Sequence, residues 1–136
     1  MALCVTNVSK GTCLGRKIAL ADSPLKRVSG LLGTSKLDAD AGLLIFPTQA
    51  VHTFGMKYAI DLVFVDRKGK VVGLRPALRP NRMSRLYWRA QFVVELPVGT
   101  IERSGTEVGD AIEWCDADLL ATSIADQQGG VQLEDN

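Results

Sequence analysis

The plainest hydrophobic pattern in the chain is Tyr58–Asp66, where Tyr58, Ile60, Leu62 and Phe64 alternate with Ala59, Asp61, Val63 and Val65. Residues two apart share a face of a strand, and both faces here are apolar apart from Asp61. The segment therefore predicts a central strand covered on both sides. Asp66-Arg67-Lys68-Gly69 follows, with Asp at the first position of a type I turn and Gly where a left-handed residue is needed; Lys70–Leu74 then reads as the hairpin partner. Phe92, Val94 and Leu96 alternate with Gln91, Val93 and Glu95 and predict another strand, ended by Pro97-Val98-Gly99. Leu43–Phe46 reads as a short buried strand stopped by Pro47, and Ala111–Trp114 as a last one. Leu3–Asn7 and Thr12–Leu20 suggest an opening hairpin. Gln49–Phe54 is expected to be extended, with Gly55 marking a bulge or a close backbone approach, and Arg75–Asn81, with its two prolines, to be a loop.

A helical period is clearest in one place. Leu25, Val28, Leu31 and Leu32 recur at spacings of three and four behind Ser23-Pro24, an N-cap with proline at the first helical position, and Gly33 suits the far end. A short helix is expected over Pro24–Leu32, and the polarity pattern also admits one over Leu119–Ala125. The fold class expected is α+β and predominantly β. It would be a single compact antiparallel or mixed β-rich domain, barrel-like or in two packed hairpin layers, with one short helix near 24–32. Residues 1–115 would form the domain and residues 116–136 an acidic, flexible C-terminal tail.

Composition narrows the classes. A length of 136 residues favours one domain, and 46% hydrophobic with 23% charged residues is ordinary for a globular protein. No apolar run approaches bilayer-spanning length and the first residues lack a basic region, so a cytoplasmic location is expected. Cys4, Cys13 and Cys115 are odd in number and lack CxxC spacing, which argues against a disulfide framework and a structural zinc site. With His52 as the single histidine, neither a metal centre nor a cofactor is expected. Charge is unevenly spread. Residues 116–136 hold five acidic side chains and no Lys or Arg, leaving 16 basic against 10 acidic residues in the first 115, a formal +6. The segment Arg67–Arg89 contains eight basic residues and no acid.

Several segments together resemble a bacterial and archaeal family known as domain of unknown function 192. They are Arg27 with Gly30-Leu31-Leu32-Gly33, Gly42–Phe46, His52-Thr53-Phe54-Gly55-Met56-Lys57, Ile60–Asp66, Val94-Glu95-Leu96-Pro97 with Gly99, and Gly109-Asp110. The resemblance runs from about Arg27 to Ile112. It departs at Gly55, where a common form has Trp, and at Tyr58-Ala59, where Asn-Thr is frequent. It implies a compact β-rich domain and brings no settled activity, substrate or cofactor.

Three residues are candidates for catalysis. His52 titrates near neutral pH as a residue type and lies within the family signature, although its flanks are apolar. Asp61 is the lone charge on a buried strand and must have a partner, from Lys57, His52 or backbone amides near Gly55. Glu95 repeats the problem on a second strand. If they converge, His52 with Asp61 or Glu95 would suit acid–base or metal-assisted hydrolysis. No cysteine lies in the signature, so a Cys–His nucleophile is weakly supported. The favoured reading is a small binding or accessory module with a site near His52–Lys57, in which Thr53, Phe54, Met56 and Lys57 contact a protein partner or small ligand. A third reading is an anionic-surface binder, for nucleic acid or lipid, using Arg75, Arg79, Arg82, Arg85 and Arg89 beside Tyr87-Trp88. A monomer is expected.

Overall fold

The computed structural model describes residues 2–21 and 37–118. The helices expected at Pro24–Leu32 and Leu119–Ala125, and the tail beyond residue 118, lie outside them. The described residues form seven strands, β1 (Ala2–Asn7), β2 (Thr12–Ala21), β3 (Ala41–Ile45), β4 (Ile60–Asp66), β5 (Val71–Leu78), β6 (Ala90–Pro97) and β7 (Ile112–Asp116), with a single-turn helix α1 (Thr100–Ser104) between β6 and β7. They form one mixed sheet in the order β5-β4-β6-β3-β2-β1-β7, parallel at β2–β3 and antiparallel elsewhere.

The alternation seen in β4 decides how the sheet is covered. Ile60, Leu62 and Phe64 join Leu43, Ile45 and Val93 in one apolar cluster, while Val63 and Val65 join Leu3, Val5, Leu14, Ile18 and Leu44 in the other. Leu62, Val63, Phe64 and Val65 are all fully buried, and each such side chain is worth about 1.5–3 kcal/mol relative to exposure. The turn after β4 forms as its residues require. Asp66 Oδ1 accepts from the amides of Lys68 and Lys70, both at 2.9 Å, and Gly69 takes φ +80°.

The sheet is neither a closed barrel nor two hairpin layers. Its edge strands meet at one end through a single bridge, Lys70 with Ala111, flanked by bonds from Val71 N to Asp110 O (2.9 Å) and from Ile112 N to Gly69 O (2.7 Å). β5 also runs on to Leu78 through Pro76, where the sequence suggested a loop. An edge strand has one side without a ladder, so a residue lacking an N–H is tolerated there. Gly55 serves a turn rather than a bulge: Met56 N donates to Thr53 O (3.1 Å) and Gly55 has φ +81°. No helix among the described residues is long and apolar enough to cross a membrane.

Candidate binding surface

Two irregular segments, residues 47–58 and 79–89, the second leading into β6, lie side by side over the Leu62–Phe64 face of the sheet. Their backbones are stitched in antiparallel fashion. Thr48 N donates to Gln91 O (3.0 Å), Tyr87 N to Gln49 O (2.9 Å), Ser84 N to Val51 O (2.7 Å) and Thr53 N to Arg82 O (2.8 Å), with His52 and Met83 forming an isolated bridge. Val51 and Met56 point inward to the core, and the Tyr87 ring stacks on Phe64 with centroids 4.2 Å apart. The ring occupies the space above Gly73, where any Cβ would overlap it. We call this paired unit the flap.

Thr53 is its fastener. Fully buried, its hydroxyl donates to Arg79 O and accepts from Arg82 N (3.0 Å), while its carbonyl accepts from Asn81 N (2.9 Å). Asn81, held at φ +61°, returns its side-chain oxygen to Gly55 N (3.2 Å). Of the signature residues expected to touch a ligand, Thr53 and Met56 therefore face inward and carry the loop. His52, Phe54 and Lys57 face solvent, with the His52 and Phe54 rings stacked at 5.1 Å.

Val51, Thr53, Met56, Ser84 and Tyr87 turn inward, and the residues between them form an exposed ridge. Phe54, His52, Met83, Leu86 and Trp88 lie along it, Met83 at 66% and Trp88 at 78% exposure. Arg75, Arg79, Arg82, Arg85 and Arg89 are all exposed. The Arg85 guanidinium sits 5.6 Å from the Tyr87 ring centroid. Trp88 and Arg89 border an open groove of about 830 Å³ that also includes Arg67, Lys68, Thr48 and Gln91. A neighbouring hollow of about 340 Å³ is shared by Arg85, Leu86, Trp88 and Arg89. Among the described residues no acidic side chain forms an ion pair with these arginines; the ion pairs found join Lys10 to Glu107 and Asp110.

The two candidate carboxylates do not meet. In the β4–β6 ladder Leu62 pairs with Glu95 and Asp61 with Leu96. Paired residues share a face and successive residues alternate, so Asp61 and Glu95 project from opposite sides of the sheet. Asp61 is buried and accepts three backbone N–H bonds, from Ala77 (2.9 Å), Gly99 (3.1 Å) and Ile101 (3.0 Å). It caps the first turn of α1 and is not partnered by His52, Lys57 or the amides near Gly55, which belong to the other face. Three N–H donors occupy its acceptor oxygens and give it a structural role. Glu95 is 4% exposed, and burial pushes its carboxyl pKa up from 4.5 to about 8, so it is mostly protonated at neutral pH. Asp110 is a third buried acid, bonded by Asn7 Nδ2 (3.0 Å) and Glu107 N (2.9 Å); the Asn7 bond above all holds its pKa below the usual value. With Lys10 and Thr106 it ties the first hairpin to the turn before β7. The flap ridge, the capping by Asp61 and this knot are assembled from residues far apart in sequence, which is why local pattern does not reveal them.

Residues 5–114 match the model of the family described as "Uncharacterized ACR", domain of unknown function 192. The chain is 34% identical over 113 residues to a UPF0127 protein of Thermococcus sibiricus, covering 79% of this chain and 72% of that protein. It is also 34% identical over 113 residues to a UPF0127 protein of Pyrococcus abyssi, covering 81% and 96%. In structure it resembles a protein of unknown function from Novosphingobium aromaticivorans, with TM-score 0.71, 20% identity and coverage of 82% and 83%. A Sinorhizobium meliloti protein whose name suggests a transcription regulator superposes with TM-score 0.68 at 24% identity over 82% of this chain and 91% of that one. At such identities these two structures speak to fold alone.

Proposed function

The chain belongs to the domain of unknown function 192 family, and we propose that it is a binding module whose contact surface is the outer side of the flap, from Phe54 and His52 through Met83 to Trp88. The observation that carries this reading is the ridge itself. A hydrogen-bonded scaffold holds Phe54, Met83, Leu86 and Trp88 outward in water, although the same segments bury Val51, Met56 and Tyr87. Aromatic residues, Met and Arg are the types enriched at protein interfaces, and exposed apolar patches with polar rims mark contact sites. The flanking arginines favour an acidic partner segment, with Trp88 as its anchor. The three free cysteines fit a reducing, cytoplasmic setting.

The test is a chemical-shift titration of the full chain with a synthetic peptide alternating Glu with Leu and Phe. Shifts are expected at His52, Phe54, Met83 and the Trp88 indole, and Trp88→Ala should weaken binding by at least about tenfold, as for an anchor residue. Perturbation confined to the β7 edge, or an unchanged affinity in Trp88→Ala, would refute the reading.

A further inference from the structure

The fold gathers three cysteines that the sequence leaves far apart. Cys4 and Cys115 are direct partners in the β1–β7 ladder, and Thr6, two residues along the same face from Cys4, pairs with Cys13 on β2. The Cys4 sulfur lies 4.0 Å from Thr6 Oγ1, so all three thiols share one face of this end of the sheet. All are free; Cys4 is buried, Cys13 half-buried and Cys115 exposed. We propose that Cys4 and Cys115 form a reversible thiol–disulfide pair responding to peroxide-class oxidants, with Cys115 oxidised first.

The register sets the character of the bond. Val8 N donates to Ala111 O (2.8 Å), which marks Val8–Ala111 as a hydrogen-bonded pair. Counting along the ladder by twos makes Cys4–Cys115 another. Such pairs have Cα atoms about 5.5 Å apart, inside the span of about 4.4–6.8 Å that disulfides bridge. Their Cβ atoms lie toward the wide end of about 4.5–5.5 Å, beyond the mean of about 3.8 Å found in disulfides. Closing the bond requires the strands to shift, so the disulfide is strained and readily reduced, as a switch in a reducing compartment must be.

The steps balance. The exposed Cys115 thiolate attacks a peroxide oxygen; the O–O bond breaks, hydroxide leaves and is protonated to water, and Cys115 becomes a sulfenic acid. The Cys4 sulfur then attacks the Cys115 sulfur. The S–S bond forms, the S–O bond breaks, and the departing hydroxide takes the Cys4 proton as a second water. Hydrogen peroxide is reduced by two electrons and two thiols are oxidised. Burial, then the neighbouring Cys13, raises the Cys4 thiol pKa, which keeps Cys4 protonated and inert until Cys115 is activated beside it. The product would tie the C-terminal edge strand covalently to β1.

The experiment exposes the full chain to graded hydrogen peroxide, blocks remaining thiols and maps peptides without reduction. A Cys4–Cys115 linked peptide is expected, with loss of two hydrogens from the intact mass and full reversal by dithiothreitol. It should persist in Cys13→Ser and vanish in Cys115→Ser, an exposed position where folding is preserved. Sulfinic or sulfonic acid at Cys115 without a cross-link, a Cys4–Cys13 link in its place, or an intermolecular Cys115 dimer would each overturn the proposal.

Discussion

Glu95 lies between Leu43 and Leu62 in neighbouring strands, and no described residue is seen to donate to its carboxyl. Its pKa of about 8 exceeds its ordinary 4.5 because burial disfavours the charge. The native state thus holds this proton more tightly than the unfolded chain does. Its contribution to stability is full below about pH 4.5 and is lost as the pH rises through about 8. The loss across that window is on the order of several kcal/mol. Glu95→Gln removes the titration, so the variant should gain on the parent steadily between pH 5 and 9, as read from urea melts. Parallel pH profiles for the two proteins would show that Glu95 is solvated or charged in the fold. At this scale the sequence was partly legible. That Asp61 and Glu95 are buried acids in need of an explanation follows from the apolar residues around them. That they lie on opposite faces depends on β4–β6 register, which no local pattern contains.

Elements tell a similar story. The β4 strand and its turn are legible because their determinants are local: alternation over nine residues, then Asp and Gly at fixed offsets. α1 is not, because its cap comes from Asp61, roughly forty residues earlier, and a helix of five residues has no period to detect. Asp61→Ala leaves three partly buried amides without their acceptor and should cost about 1–3 kcal/mol. The loss should be accompanied by faster hydrogen exchange at Ala77, Gly99 and Ile101, and protection unchanged there would mean that the carboxylate is not their acceptor. The flap makes a separate prediction. Its seat is the Tyr87 ring over Gly73, so Gly73→Ala must displace the ring from Phe64. Peptide binding should then fall several-fold in step with the lost Tyr87–Phe64 contact, while amide protection in β1, β2 and β7 persists. If binding survives displacement of Tyr87, the ridge does not depend on the flap's seating.

Over the whole molecule, charge distribution matters more than net charge. The chain is formally +1, yet its first 115 residues carry +6, and the exposed arginines of the flap have no described acidic partner. Deleting residues 117–136 removes Asp118, Asp126, Glu134 and Asp135 and no basic residue, which raises the formal charge from +1 to +5. If those acids screen the arginines, the shortened chain should bind heparin several-fold more tightly at low salt. The difference should fade as the Debye length contracts from about 10 Å at 0.1 M toward about 3 Å at 1 M. Equal elution of both forms across the gradient would show that the acidic end has no such influence. The same pair of proteins also separates generic attraction from recognition. Heparin offers sulfates and no apolar side chains, so Trp88→Ala should leave its retention nearly unchanged while weakening the Glu-Leu-Phe peptide. An equal loss for both ligands would make Trp88 a general support of the basic surface and deny it the role of anchor. A loss for the peptide alone assigns affinity to the ridge and leaves the arginines to steer the approach.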